Sequence, residues 1–508
     1  MFANHDGSCG VLLDFGRELH GGLQIIVGRT HSGGPVQLRV RFGESASEAM
    51  GALPEGVTDT FSNDHAIHEQ VVPVPWAGTA EIGNTGFRFA RIDLVGNSGT
   101  AAEIQSVRAV FLFRDLPYLG SFVCSDERLN RIWETGAYTV HLNMQDHVWD
   151  GIKRDRLVWL GDMHPETMVI STVFGDADVA RESLDLARDE TKLPGYMNGM
   201  GSYSVWWLII QRDWYLYHGN RAFLEDQRTY ILGLLDLLEQ QIDAKTDLQH
   251  LPNGFLDWPT STDPEAVQAG LQALMVLGFQ AGVELCRILG HPDRAEHCEQ
   301  VIDRLKRPRT RPEGKKTAAA IQVLAGMMDA EETNRRILSA DPLDGVSTFY
   351  GYYVLQARAA AADYQGCLDV IRQYWGAMLD LGATTFWEDF NMAWTENAAP
   401  IDELVPPGKV DVHAQYGDFC YKGWRHSLCH GWAGGPTAWL NEHVLGLKPL
   451  EPGCTVLRVD PHLGDLAWAR GSLPTPLGVV SVSVVRRDDG GVDVSVDAPA
   501  GVRVVSNA

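Results

Sequence analysis

The sequence predicts a multidomain α and β protein, a closed ring of helices flanked by an N-terminal and a C-terminal β-sandwich. Three observations carry that expectation. Apolar and polar residues alternate at period two up to about residue 115 and again after about residue 447. Between those limits, apolar residues recur at helical spacing in segments joined by short turns bearing Gly, Asp or Pro. The 508 residues also exceed the size at which one hydrophobic core stops growing, so roughly two to four domains are expected.

The first β region, residues 1–115, reads V-L-L-D-F-G (11–16), L-Q-I-I-V-G (23–28), V-Q-L-R-V-R-F-G (36–43) and F-R-F-A-R-I-D-L (87–94). Gly21-Gly22 and Gly33-Gly34 read as breaks between strands, and Arg39, Arg41, Arg88 and Arg91 as a solvated sheet face. The helical region, 116–446, opens with Asp126–His141, for which Ser125 is the expected N-cap. Helices follow at about 164–188, 204–218, 222–244, 265–289, 293–306, 316–328, 333–339, 347–360, 364–382 and 427–445. The run 273–286 is apolar all round, which implies burial between layers. Antiparallel pairs of such helices suggest a double ring. The tail, 447–508, returns to alternation in 454–461, 478–487 and 492–499, with Asp488-Asp489-Gly490-Gly491 as a hairpin turn.

Composition limits the function. A formal net charge of -24 disfavours nucleic acid, whose phosphates need clustered Lys and Arg, and disfavours anionic membrane surfaces. The N-terminus lacks a basic segment followed by an apolar run, and no stretch of 18 apolar residues occurs, so neither a signal peptide nor a membrane span is expected. The eight Cys are scattered without a C-x-x-C pair, which argues against disulfide frameworks and zinc sites. A cytoplasmic protein is the expectation.

The stretch 146–166, D-H-V-W-D-G-I-K-R-D-R-L-V-W-L-G-D-M-H-P-E, packs five acids, three basic residues, two His and two Trp into 21 positions. Gly151 and Gly161 make it a loop. Other loops at 198–207, 253–261, 382–390 and 425–432 also set Trp beside an acid, amide or His, and in a helical ring such loops meet at one end. Hydrolysis of a glycosidic bond needs one carboxyl to protonate the leaving oxygen and another to activate water or attack directly. Asp150, Asp155 and Asp162 on one loop and Glu388 and Asp389 on another could supply that pair. Each has a bland reading too. Asp155 lies between Arg154 and Arg156 and could be salt-bridged; Asp162 could cap a helix; Glu388 could lie on a surface turn; Asp257-Trp258 could be core or ligand wall. His426 and His430, four apart, could suit a metal, but no H-E-x-x-H or third ligand is evident and no metal is expected.

These residues also carry a family resemblance. D-x-x-x-R-D-R-L-V-W-L-G-D (150–162) resembles the signature of the inverting α-L-rhamnosidases, glycoside hydrolase family 78. L-L-D-F-G-R-E-L-H-G-G (12–22) is similar to that family's N-terminal sandwich, T-T-F-W-E-D-F (384–390) to its general-base segment, and S-L-C-H-G-W-A-G (427–434) to its late helix start. The resemblance implies an (α/α)6-barrel catalytic domain and no cofactor. It implies Asp155 as general acid and Glu388 as general base. Asp150, Arg154 and Asp162 would hold sugar hydroxyls, His430 would sit near the base, and Trp206 or Trp207, Trp258 and Trp387 would line the sugar site. Two departures mark a divergent branch. The acid position is usually Glu, one methylene longer than Asp155, and Leu428-Cys429 stand where Phe-Asn is usual. The implied function is release of terminal α-L-rhamnose, or a closely related sugar, from a small glycoside or oligosaccharide, with homo-oligomers possible. The alternatives are a six-hairpin glycosidase of other sugar specificity and a non-catalytic carbohydrate-binding relative.

Overall fold

The structure is a computed structural model that describes every residue except 1, 4–8, 32–33, 53–67, 420 and 507–508. Gly33 of the expected Gly33-Gly34 break, and Cys420, lie outside the described residues.

The N-terminal region is one six-stranded antiparallel sheet. Its strands are β1 (Phe2–Ala3), β2 (Gly10–Thr30), β3 (Val36–Gly43), β4 (Glu69–Val74), β5 (Thr79–Val95) and β6 (Ala101–Phe111), in the order β1-β6-β2-β5-β3-β4. Hydrogen bonding is continuous through this β region, because β2 and β5 run through as 21- and 17-residue strands. Gly21-Gly22 is not a break but a register shift inside β2. A Cβ on Gly21 would lie 1.9 Å from the Val110 carbonyl oxygen, so the close strand pairing needs glycine there. Arg88 departs from the solvated face. It is buried, donates to both Asp14 carboxylate oxygens at 2.8 and 2.9 Å, and donates to the Gly382 carbonyl at 3.0 Å. A sheet arginine thereby pins the start of loop 382–390.

The helices form the expected double ring. The inner helices are Met163–Val173, Gly201–His218, Pro264–Ile288, Lys316–Leu324, Gly351–Ala360 and Gly435–Trp439; each packs on the next, and the last returns to the first. All eleven residues of Met163–Val173 are buried, as an inner position requires. Outer partners such as Asp178–Glu190 and Pro292–Leu305 are buried on one face only. The expected 164–188 helix is two helices, because Gly175 turns the chain at φ +80°. Helix Glu127–Asn143 closes the outer layer against the last helix: Trp133 Nε1 donates to Asn441 Oδ1 at 2.7 Å, and Thr437 Oγ1 to the Trp133 carbonyl at 3.0 Å. Its N-cap is Asp126, which accepts from the Arg128 and Leu129 amides, not Ser125, whose Oγ accepts from Ala467 N. Pro264–Ile288 is apolar and long enough to cross a membrane, but 83% of its most apolar window is buried inside the ring.

Two short parallel strands, β8 (Ala398–Ala399) and β9 (Val410–Asp411), pair within the last long connection. The C-terminal region holds β10 (Leu447–Pro449), β11 (Val456–Val459), β12 (Trp468–Thr475), β13 (Gly478–Arg486), β14 (Val492–Asp497) and β15 (Arg503–Val505). They form a three-stranded sheet, β10-β11-β15, and a four-stranded one, β14-β13-β12-β7. The fourth strand, β7 (Ser121–Cys124), comes from the chain just ahead of the helices, with Ala469 opposite Cys124. Helical and C-terminal regions therefore share a sheet. Strand β12 is an element that the alternation pattern did not reveal.

Candidate active site

The loops that precede the inner helices meet at one end of the ring around a cavity of about 250 Å³. The charged stretch supplies one wall. Its loop is closed by reciprocal bonds: Asp150 N donates to the Leu157 carbonyl at 3.1 Å, and Leu157 N donates to Asp150 Oδ1 at 3.0 Å. Asp150 O accepts from Gly431 N at 2.8 Å, which seats the loop on the start of the last helix. Inside the closed loop, Asp155 and Arg156 adopt φ of 51° and 54°, a left-handed pair that non-glycine residues adopt at a cost.

Arg154 is the hub. It is 2% exposed; its Nε donates to the Arg425 carbonyl at 2.7 Å, its Nη1 to Asp155 Oδ1 at 3.2 Å, and its Nη2 to Glu388 Oε2. The guanidinium also lies 4.7 Å over the Tyr421 ring. One cation thus joins two carboxyls from loops far apart in sequence. The salt-bridge reading of Asp155 and its place in the cavity wall both hold.

Glu388 is buried, not on a surface turn. Its amide donates to the Ser427 carbonyl at 3.0 Å, and Ser427 N donates to Glu388 Oε2 at 3.3 Å. Burial alone would raise its pKa, but the Arg154 guanidinium, helped by His430, holds it below the usual carboxylate value. His430 stands between acids: Nε2 is 3.1 Å from Asp162 Oδ1, and Nδ1 is 3.7 Å from Glu388 Oε1 with no hydrogen-bond partner among the described residues. The surrounding carboxylates raise the His430 pKa against its burial, Glu388 most strongly. Asp162 does not cap its helix; its second oxygen accepts from Tyr203 OH at 3.0 Å. Burial pushes the Asp150 carboxyl well above the usual range, the opposite direction to Glu388.

Seven expected residues line the cavity: Asp150, Arg154, Asp155, Asp162, Trp258, Glu388 and His430. Three do not. Trp206 lies beneath, stacked on His164 and Tyr353; Trp207 donates to the Leu184 carbonyl from the core; Trp387 is buried against Phe390 and His426. Their loops are the right ones, but their side chains point into packing. Aromatic wall residues that sequence reasoning passed over are Trp159, Tyr203, Phe255, Tyr421 and Trp432. Trp258 donates to Tyr421 OH at 2.9 Å and stacks on Phe419. Its neighbour Asp257 is core: it accepts from Thr317 Oγ1 at 2.6 Å and from Thr260 N at 3.0 Å.

The residues most like a metal cluster lie outside the cavity. Glu44, Glu48 and His413 have ligand atoms within 4.8 Å of one another, but the Lys153 ammonium occupies the place of a cation there. His426 is no ligand: its Nε2 accepts from Asp389 N at 2.9 Å.

Comparison with known proteins agrees with this architecture. Residues 117–305 match the bacterial alpha-L-rhamnosidase 6 hairpin glycosidase domain, and 446–505 the bacterial alpha-L-rhamnosidase C-terminal domain. An alpha-L-rhamnosidase of Alteromonas sp. is 24% identical over 96% of this chain and 55% of its own length. The chain spans about half the length of the curated relatives it matches over most of its own length. The structure of a family 78 rhamnosidase of Bacillus sp. GL1 superposes with a TM-score of 0.80 at 21% identity, over 100% of this chain and 54% of that one. A Klebsiella oxytoca rhamnosidase with rhamnose bound gives 0.71 at 19% identity, over 86% and 88%. These matches agree with the six-hairpin ring: the helical region and the C-terminal sheets are similar to the two bacterial alpha-L-rhamnosidase domains, and the whole chain shares the fold of the rhamnosidase structures it superposes on.

Proposed function

We propose that the chain is an inverting exo-glycoside hydrolase that releases terminal α-L-rhamnose, or a closely related sugar, from small glycosides. The observation that carries this reading is the bridge from Asp155 through the Arg154 guanidinium to Glu388. It sets two carboxyls at one cavity, as hydrolysis across a glycosidic bond requires. Glu388, ionised beside Arg154, takes a proton from water as that water attacks the anomeric carbon. The glycosidic bond breaks, and Asp155 gives its proton to the leaving oxygen. Glu388 ends protonated and Asp155 ionised, and exchange with solvent resets both. Asp150, whose protonated form burial favours, can donate to a sugar hydroxyl, and the Nδ1 of His430, unpartnered among the described residues, offers a second polar contact. Trp258 and Trp432 offer apolar faces to the sugar ring.

The test is stereochemical and genetic. Proton NMR of the first-formed sugar from an aryl α-L-rhamnoside should show the inverted anomer; a retained anomer rejects the mechanism. Glu388→Gln should abolish turnover, and near-wild-type activity in that variant rejects the base assignment. The ion pair between Arg154 and Asp155 favours one other reading, a carbohydrate-binding relative that no longer delivers a proton. Rhamnose binding by calorimetry, without turnover across a panel of aryl glycosides, selects it.

A further inference from the structure

The neighbour of Arg154 in the chain points the other way. Lys153 is 5% exposed, and four oxygens surround its ammonium: Glu44 Oε2 at 2.9 Å, Glu48 Oε1 at 3.2 Å, and the carbonyls of Trp424 at 2.8 Å and His426 at 2.7 Å. Both glutamates belong to the N-terminal region, at the turn after β3 and on the short helix Ala46–Met50. They are nearly inaccessible. A buried lysine with two carboxylates costs several kcal/mol of desolvation per ion unless the geometry is well satisfied. Such an arrangement, reaching from one region of the chain into another, calls for a role.

The bonds leaving the cluster show where it acts. Glu44 Oε2 also accepts from Leu428 N at 2.6 Å. His413 Nε2 donates to the His426 carbonyl at 3.0 Å, which leaves Nδ1 to accept from Ser45 Oγ at 2.7 Å. Ser45 Oγ in turn accepts from Glu48 N, and Glu48 Oε2 accepts from Glu44 N at 2.7 Å, so the glutamates are themselves braced. The segment 426–428 is thus gripped from the N-terminal side. On its other side it holds the base: Ser427 exchanges backbone and side-chain bonds with Glu388, and His426 Nε2 accepts from Asp389 N. A second route runs through the chain itself, from Lys153 to Arg154 and so to Glu388 Oε2. Two paths from one ammonium converge on one carboxylate.

We propose that Lys153, Glu44 and Glu48 are a positioning clamp through which the N-terminal sheet region sets the geometry of the Arg154–Glu388 pair. These residues touch neither the cavity nor the sugar; they act through 426–428 and Arg154. The N-terminal sheet region is then part of the catalytic apparatus. The proposal rests on the hydrolase reading for its kinetic consequence, but not for its structural one.

The variant Lys153→Met with Glu44→Gln removes charge from both sides and keeps similar volumes. In the full chain, kcat on an aryl α-L-rhamnoside should fall by about 100-fold, the scale of a small misplacement of a reacting group, with KM little changed. In Lys153→Ala, added propylammonium should restore part of the lost kcat, which a general loss of folding would not allow. Hydrogen exchange supplies an arm that needs no substrate: the Ser427, Leu428 and Asp389 amides should lose at least about tenfold protection while the core of Pro264–Ile288 keeps its own. A double variant with wild-type kcat overturns the proposal, as does a loss carried by KM alone. Unchanged exchange at Ser427 and Leu428 overturns it even if the wild type cleaves no rhamnoside, an outcome that separately defeats the hydrolase reading. If the double variant does not fold, Glu44→Gln alone must still raise exchange at the Leu428 amide, and failure to do so overturns the clamp.

Discussion

Arg154 sets the state of Glu388, the proposed base, and that fixes a pH dependence. Glu388 is held below its ordinary value of 4.5 mainly by the Arg154 charge acting against burial. The acid limb of kcat/KM, which reports the free enzyme's base, should therefore lie below about pH 4.5. Replacing Arg154 by Met leaves burial unopposed, so the limb should move up toward neutrality in a pH–rate profile. A limb that stays put shows that another group holds Glu388 ionised. Asp155→Asn tests the opposite role: kcat should fall far more for poor leaving groups than for nitrophenyl rhamnoside, because only the poor ones need the proton. Asp150, Asp155, Asp162 and Glu388 could be placed at one cavity from the sequence because charge at fixed spacing in Gly-broken loops has few structural uses, whereas Arg154 and His430 came with the family resemblance. Tyr203 was not, because an aromatic at the start of an apolar helix reads like any core residue. Trp206 and Trp207 were chosen instead. They sit about one turn further along Gly201–His218, roughly 5 Å deeper at 1.5 Å per residue, below the cavity floor.

That helix separates packing from binding in a way experiment can read. Trp206 is 1% exposed between His164 and Tyr353. Trp206→Ala should cost about 3–5 kcal/mol in urea unfolding, the scale of deleting a buried aromatic. Trp258 lies on the wall and is half-buried, so Trp258→Ala should raise KM and weaken rhamnose binding in calorimetry with a smaller loss of stability. If the two variants exchange these phenotypes, the floor and wall assignments are wrong. Most helices were readable because their apolar spacing and Gly or Pro ends agree. Two elements were not. The expected helix at 427–445 begins only at Gly431, since 427–430 is drawn into an extended path against Gly151 and Glu388. Strand β12, W-A-R-G-S-L-P-T, carries Gly and Pro that weaken a strand signal, and it is stabilised by pairing with β7 some 350 residues earlier. Local pattern cannot report a partner that distant.

Across the whole molecule, burial of ionisable groups predicts how stability follows pH. Stability changes with pH in proportion to protons bound by the unfolded chain minus those bound by the folded one. One set of groups favours higher pH. Buried His20 and His443 are pushed from 6.5 down to about 4, and His218 and His426 to about 3. Below 6.5 the unfolded chain takes up protons that these rings refuse, so stability is lost as pH falls. The other set favours lower pH. Burial lifts Asp389 from 3.8 to about 7, and lifts Glu18, Asp150 and Glu166 well above their ordinary values. The folded chain keeps protons on these carboxyls that the unfolded chain has released, so stability is lost as pH rises. Between about 4 and 6.5 the two sets oppose each other. Above about pH 7.5 the four histidines are nearly all neutral in both states and drop out, while the carboxyls lifted well above their ordinary values still act. Unfolding free energy should therefore fall from about pH 7.5 to 8.5 at fixed salt, by up to about 1.4 kcal/mol per pH unit for each carboxyl still protonated. Glu166 is the group to isolate: it is 1% exposed, its Oε1 has no hydrogen-bond partner among the described residues, and burial, then Asp162 and Asp150, disfavour its charge. Glu166→Gln mimics its protonated form, so the variant should be the more stable at pH 8.5 and show a shallower fall by one proton's share. A wild-type profile that is flat or rising over this range would mean that these carboxyls ionise inside the fold, and with them Asp150, whose neutral form the proposed sugar contact requires.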